Sequence, residues 1–299
     1  VSTEELAAAS TEPGVARRLL DVLALTKPRL NALTVFAVAA GWTAAVGRDG
    51  DPHVFAATVL GSALVAGGAS ALNQYAERGR DALMTRTADR PLPAGRLAPR
   101  DGLLAGLAMS AAGVAALALA TNALTVALAV LCLVWYVAVY TPLKTRTSLN
   151  TIAGTISGAL PPVMGVTAAT GRFTFEAWFL FSLMVAWQLP HFLSIAWLYR
   201  GDYERGGYVM LPSVPDGEAQ TARQVVVQSL LTMLVSLAAV PFHLAGRTYL
   251  LVAFGAGIVL VGAGVAFALA RTDDAARRLL RVSIIHLPVV LTAFALDRV

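Results

Sequence analysis

Charged residues are scarce in this 299-residue sequence, where Asp, Glu, Lys and Arg make up only 14%. A soluble domain of similar size carries about a quarter. That deficit, together with 57% apolar residues and a mean hydropathy of +0.67, excludes a soluble enzyme and a disordered regulator. Cysteine is scarcer still. Cys132 is the only one, so no internal disulfide can form, and no Cys/His spacing offers a zinc site. Set in LAVLCLVWYVAVY, Cys132 reads as a small buried hydrophobe.

Long apolar runs are abundant instead. Nine predicted spans run near 30–47, 54–75, 102–120, 123–141, 149–170, 174–199, 225–245, 249–270 and 282–297. Each is close to the roughly 20 residues that cross a bilayer core. None alternates as barrel strands do. The fold expected is an all-α polytopic membrane protein, its nine transmembrane helices forming one bundle around an intramembrane cavity open to the cytoplasmic side. Residues 1–25 read as a ragged cytoplasmic tail and 26–299 as the membrane domain. With the N-terminus inside, all basic residues but Arg48, Arg172, Arg247 and Arg298 fall on the cytoplasmic face, as the positive-inside rule requires. The net charge of +5 then reflects attraction to the lipid bilayer, with no nucleic acid implied.

Two cytoplasmic connections, 76–101 and 200–224, are long and open with acidic residues. In the first, Asn73, Glu77 and Asp81 follow one another at intervals of four, which places their oxygens on one helix face. Such hard oxygen donors suit Mg²⁺ when substrate phosphates complete its shell. Arg78, Arg80, Arg86 and Arg90 alternate with them and could grip phosphate oxygens. The plainer alternative is a charged helix end emerging into water. Ahead of the second, Gln188 and His191 interrupt the apolar helix 174–199, Pro190 is expected to bend it, and Tyr199, Asp202 and Glu204 follow. His191 is either a neutral ring bonded to another helix, or a contact for a bound ring system or its propionates, or an axial ligand to iron. His53 and His243 read as structural, and His286 is undecided. Between the two sites, Gly154 and Gly158 form a GxxxG, extended by Ala153, Ser157 and Gly165, and these small residues are expected to pack helices closely. Pro161 and Pro162 are expected to break span five. Lys144 and Arg146, with Asn150 one turn inward, are either membrane anchors or cations facing a diphosphate. The residues alone point to prenyl transfer within the membrane, with a transporter as the alternative from another class.

The block Asn73-x₃-Glu77-x₃-Asp81, Arg86-Thr87 and Arg90-Pro-Leu-Pro-Ala-Gly-Arg96 resembles the first signature of the intramembrane aromatic prenyltransferase superfamily. Tyr140-Thr-Pro-Leu-Lys144, Asn150-Thr, Gly158-Ala-x-Pro-Pro, Trp187-Gln-x-Pro-His191 and Asp202-Tyr resemble one branch of it, the protohaem IX farnesyltransferases, as does Leu25-Thr-Lys27-Pro28-Arg29. The likeness runs from about residue 22 to the end. It implies a nine-helix bundle that transfers the farnesyl group of farnesyl diphosphate to a vinyl group of haem b, with a hydroxyl added from water to give haem O. It further implies Mg²⁺ as cofactor, held with the diphosphate by Asn73, Glu77, Asp81 and Asp202. By the same likeness Arg78, Arg86, Lys144 and Arg146 would neutralise the diphosphate, Asn150 and Tyr199 would line the substrate site, and His191 would contact haem. A downstream haem A-forming enzyme or oxidase assembly factors are the further partners it suggests. The sequence departs from the superfamily in having Glu77 where Asp is frequent, and in following Asp202 by Glu204 at only two residues. A sister enzyme with an aromatic or quinone-precursor acceptor is the nearest alternative.

Overall fold

A computed structural model describes residues 14–47 and 49–298. The acidic start of the expected tail and Arg48 lie outside these. Among the described residues there is no strand beyond an isolated bridge between Ala245 and Arg298, and nine helices are long and apolar enough to cross a membrane. They are α2 (Pro28–Val46), α3 (Pro52–Asp81), α4 (Pro99–Ala120), α5 (Ala123–Leu143), α6 (Asn150–Thr170), α7 (Phe175–Leu198), α9 (Gly217–Ala238), α10 (Arg247–Ala270) and α11 (Asp273–Leu296). Two shorter helices complete the set, α1 (Val15–Leu25) and α8 (Arg200–Arg205). The expected tail is therefore not ragged throughout. Its second half is a helix that buries Asp21 and Leu25 and leaves Leu19, Leu20 and Leu23 exposed. Arg96 ties it down through Asp21 at 3.0 Å.

Two spans begin earlier than their hydropathy suggests. Helix α9 starts at Gly217 and α11 at Asp273, because both open with polar turns that a search for apolar runs passes over. In α11 those turns are stabilised by Asp273 and Asp274 at the positive end of the helix dipole and by the Thr272 hydroxyl, which accepts from the Ala275 amide at 3.3 Å. Helix α9 ends at Ala238 although the apolar run continues, since Pro241 cannot extend it.

The centre of the bundle is α6, packed on α2, α7 and α5. Its two prolines do not break it: the helix is continuous from Asn150 to Thr170. Pro161 has no N–H for the Ser157 carbonyl, and the Cys132 thiol donates to that oxygen instead at 3.2 Å. The lone cysteine thus satisfies a backbone group that would otherwise be costly in a membrane. Two of the glycines also act differently from the expectation. Gly154 makes room for the Tyr140 ring and Gly158 for the Gln188 amide, so this GxxxG accommodates side chains and not a neighbouring backbone. At Gly165 the expectation holds: α2 and α6 approach closely by their backbones there and at Gly41. A Cβ on Gly165 would lie 2.1 Å from the Val38 carbonyl oxygen. Gly165→Ala should therefore destabilise the bundle by about 1–3 kcal/mol, read as a lower midpoint of thermal unfolding in detergent. An unchanged midpoint would show that α2 and α6 can part freely.

Helix α3 positions the site. Asp51 caps it by accepting from the His53 amide at 2.7 Å, and Pro52 fixes its first turn. Its 30 residues reach about 45 Å, well beyond a hydrocarbon core of about 30 Å. Its last turns, which carry Asn73, Glu77 and Asp81, come to lie against the loops at one end of the bundle.

Candidate active site

Spacing alone left open whether Asn73, Glu77 and Asp81 face water. They do not: their exposures are 0%, 6% and 1%. Each hands an oxygen to a different cation. Lys27 donates to Asn73 Oδ1 at 2.9 Å, Lys144 to Glu77 Oε1 at 2.8 Å and Arg90 to Asp81 Oδ2 at 2.7 Å. The Asn73 amide in turn donates to Thr141 Oγ1 at 3.0 Å. Three segments distant in sequence, ahead of α2, at the end of α5 and in the 82–98 loop, thus converge on one face of α3.

Lys27 was noticed in the sequence only as part of a motif, without a role. It holds a left-handed backbone (φ 48°) immediately before Pro28, a strained conformation that functional sites tolerate. Its ammonium is pushed down to about 7, first by burial and then by the Arg90 and Lys144 cations, against the pull of Glu77 and Asp81. For Lys144 burial also disfavours the charge, but Tyr140 and Glu77 more than offset it and raise the ammonium well above its usual value. The Lys144 ammonium also lies 4.6 Å from the Tyr140 ring centre and 5.8 Å from that of Tyr208.

Tyr140 belongs to a π-helical stretch of α5, Trp135–Tyr140, where the Thr141 amide bonds to the Tyr136 carbonyl five residues back. Such widened turns are frequent at functional sites. This one sets the Tyr136 and Tyr140 rings 5.5 Å apart, both lining a cavity of about 270 Å³ between α2, α3, α5, α6 and α7. Apolar side chains dominate its wall, and Asn31, Ser70, Gln188 and His191 supply polar groups. His191 stacks on Trp187 with ring centres 5.0 Å apart, and its Nδ1 lies 2.9 Å from Ser283 Oγ. A broader surface depression of about 510 Å³, bordered by Arg200, Glu204, Glu218 and Asp273, contains none of the α3 residues. Glu204 belongs there.

The remaining sequence candidates are placed as follows. Asp202 lies across the loops, accepting from the Thr85 amide at 3.0 Å and the Arg86 amide at 3.3 Å, and pairing with Arg205. Arg86 spreads over Tyr199 at 4.8 Å. Arg78 turns back to the Tyr75 carbonyl and ring, and Arg146 is exposed. Asn150 spends its amide on the Thr147 and Val209 carbonyls, both at 2.7 Å, and so clips two loops together. The structure therefore joins Asn73, Glu77, Asp81 and Lys144 in one cluster and Asp202, Arg86 and Tyr199 in a second.

Burial pushes the Asp202 carboxyl up, but the amides of Thr85 and Arg86 and the Arg205 cation outweigh it and hold it below the ordinary 3.8. Its folded value being depressed, the stabilisation is complete above that ordinary value and is lost as pH falls through the lower one. Asp202→Asn should accordingly make the 82–98 loop sensitive to limited proteolysis at neutral pH, where the parent protein resists. Equal cleavage of the two proteins would remove Asp202 from this role.

Comparison with known proteins bears on the family and the fold. The model of a family described as the UbiA prenyltransferase family matches residues 34–286. The protoheme IX farnesyltransferase of Solibacter usitatus (strain Ellin6076) is 40% identical over 287 residues, covering 93% of this chain and 98% of its own. That of Anaeromyxobacter dehalogenans (strain 2CP-C) is 41% identical over 296 residues, covering 99% and 100%. Among solved structures, one of digeranylgeranylglyceryl phosphate synthase superposes with a TM-score of 0.77 at 14% identity, over 94% of this chain and 98% of that one. A UbiA homolog from Archaeoglobus fulgidus bound to DMAPP and Mg²⁺ gives 0.67 at 14% identity, over 92% and 99%. At that identity the structural likeness speaks for the fold alone, and it agrees with the all-helical bundle expected from the sequence.

Proposed function

The chain belongs to the UbiA prenyltransferase family, and from that premise we propose that it transfers the farnesyl group of farnesyl diphosphate to a vinyl group of haem b, giving haem O and diphosphate. Relatives about 40% identical over nearly the whole chain bear the corresponding name. The observation that carries the reading is the position of Tyr140. One neighbour of its ring is the Lys144 ammonium of the charged cluster, and the ring itself lines the apolar cavity that contains His191. A charged head and an apolar tail would meet there.

The donor set fits magnesium. Asn73, Glu77 and Asp81 present buried hard oxygens on one face, the kind Mg²⁺ takes together with substrate phosphates. The charges fit too. Two carboxylates face Lys144 and Arg90, and Lys27, whose ammonium is held down to about 7, would become fully charged once an anion such as a magnesium-bearing prenyl diphosphate lay beside it. Magnesium bound there would neutralise the charge that the departing diphosphate carries away. Lys27, Lys144 and Arg90 would release their present oxygens and turn to the phosphates, holding the leaving group by charge. Asp202 would reach the metal only by releasing the two amides it now holds, so on this reading it ties the loops over the site.

Loss of diphosphate leaves an allylic cation at the farnesyl C1. The Tyr136 and Tyr140 faces would stabilise it, and the apolar wall would keep water from it until the terminal vinyl carbon attacks. The positive charge then rests on the carbon next to the macrocycle, where water adds with loss of a proton. The loops bearing these residues carry most of the basic side chains, which supports placing the site on the cytoplasmic side of the cell membrane. Protein in detergent should therefore move radiolabel from farnesyl diphosphate to haem b in preference to an aromatic acid such as 4-hydroxybenzoate. Label in the aromatic acid alone would overturn the proposal.

A further inference from the structure

The contact between His191 and Ser283 fixes more than the position of the ring. Ser283 is fully buried in α11, and its hydroxyl has a single hydrogen. That hydrogen goes to the Leu280 carbonyl one turn back, at 2.8 Å, a common bond for a serine within a helix. With the hydrogen on that carbonyl, the oxygen accepts from His191 Nδ1, 2.9 Å away. In that arrangement the Nδ1 position carries the proton, and a neutral imidazole has only one.

Nε2 is left with a free lone pair on a ring that lines the cavity. This is the less favoured tautomer of a histidine side chain in water, so the protein has to impose it. Trp187 fixes how the ring is oriented towards that partner: it stacks on the ring at 19° and donates its indole N–H to the Ser283 carbonyl at 2.8 Å. Ser283 thus receives both aromatic neighbours, His191 on its hydroxyl and Trp187 on its backbone. His286, one turn further along α11, is buried with neither ring nitrogen paired among the described residues, but it does not line the cavity.

We propose that Ser283 is a positioning residue for the acceptor: it locks His191 as the Nδ1–H tautomer, so that Nε2 faces the cavity as a Lewis base for the metal centre of a metalloporphyrin. Histidines that bind metals usually donate their other N–H to such a partner, and its removal typically costs ten- to a hundredfold in metal affinity. The choice of metalloporphyrin rests on the proposed function. The tautomer does not.

The test uses full-length protein in detergent, labelled with ¹⁵N-histidine and free of substrate, with the His191 signals identified by their loss in His191→Gln. Nitrogen shifts should show Nδ1 protonated and Nε2 bare at neutral pH. Ser283→Ala should move the ring towards Nε2–H, and Ser283→Thr, which keeps the hydroxyl, should hold it. A protonated Nε2 in the unsubstituted protein overturns the proposal without recourse to any variant. Titration with ferric haem b should then give a histidine-ligated absorption spectrum, with affinity at least tenfold weaker in Ser283→Ala. Equal affinity would overturn the role of Ser283 in positioning. An Nδ1–H ring in a protein that does not bind haem would count against the haem acceptor, and with it the Lewis-base role, while the tautomer lock would stand.

Discussion

Asp81→Asn should slow farnesyl transfer by about a hundred- to a thousandfold, the range seen when one preorganised group that stabilises developing charge is removed. The substitution keeps the side chain's shape. It also keeps the bond from the Thr87 hydroxyl to the Asp81 carbonyl at 2.8 Å, so the end of α3 and the following turn should hold. What disappears is one of the two carboxylate charges on the buried face, together with the ion partner of Arg90 at 2.7 Å. Initial rates at saturating Mg²⁺, paired with gel filtration in detergent, separate the chemical loss from misfolding. A correctly folded Asp81→Asn protein with undiminished activity would remove this residue from the metal site.

The second large effect is expected at Lys144. It and Glu77 are both nearly closed off from solvent, with side-chain exposures of 12% and 8%, and their charged atoms are 2.8 Å apart. Lys144→Met should leave Glu77 as an uncompensated buried charge, at a cost of about 3–5 kcal/mol in stability, and should weaken binding of farnesyl diphosphate. Removing both charges, in Lys144→Met with Glu77→Gln, should recover most of that stability, since neutral groups of similar shape replace a buried pair at little cost. Activity should not return, because the double variant lacks both a carboxylate charge on the buried face and a phosphate-facing cation. Unfolding midpoints and steady-state rates on the three proteins test this. Activity regained in the double variant would make the pair structural.

These two residues also show how much of the site was legible in the sequence. Asn73, Glu77 and Asp81 announce themselves because a helix turns every fourth residue to nearly the same face, and that local rule needs no knowledge of the fold. Lys27 and Lys144 come to the same face from 46 and 67 residues away, and no local periodicity encodes such a meeting. Lys27 left one trace, its place in a short motif before Pro28. The nine spans were legible because hydrophobic length is a bulk property. The polar openings of α9 and α11 were not, since they contribute helix without hydropathy. Pro161 is misleading in the sequence for a similar reason: a proline removes a donor, but only the neighbouring helix shows that Cys132 satisfies the Ser157 carbonyl it leaves behind. Ser283, with nothing unusual around it in the sequence, acquires meaning only when α11 brings it against His191.

The central claim, farnesyl transfer to haem at a magnesium site beside the His191 cavity, is tested most directly by following the porphyrin itself. Purified protein would be incubated with haem b, farnesyl diphosphate and Mg²⁺ in ¹⁸O-labelled water, and the porphyrin examined by mass spectrometry. The account predicts a product heavier by one farnesyl group and one ¹⁸O-labelled hydroxyl, absent when the metal is chelated and absent with Asp81→Asn. Haem recovered unchanged, under conditions where a known haem-farnesylating relative converts it, would contradict the account.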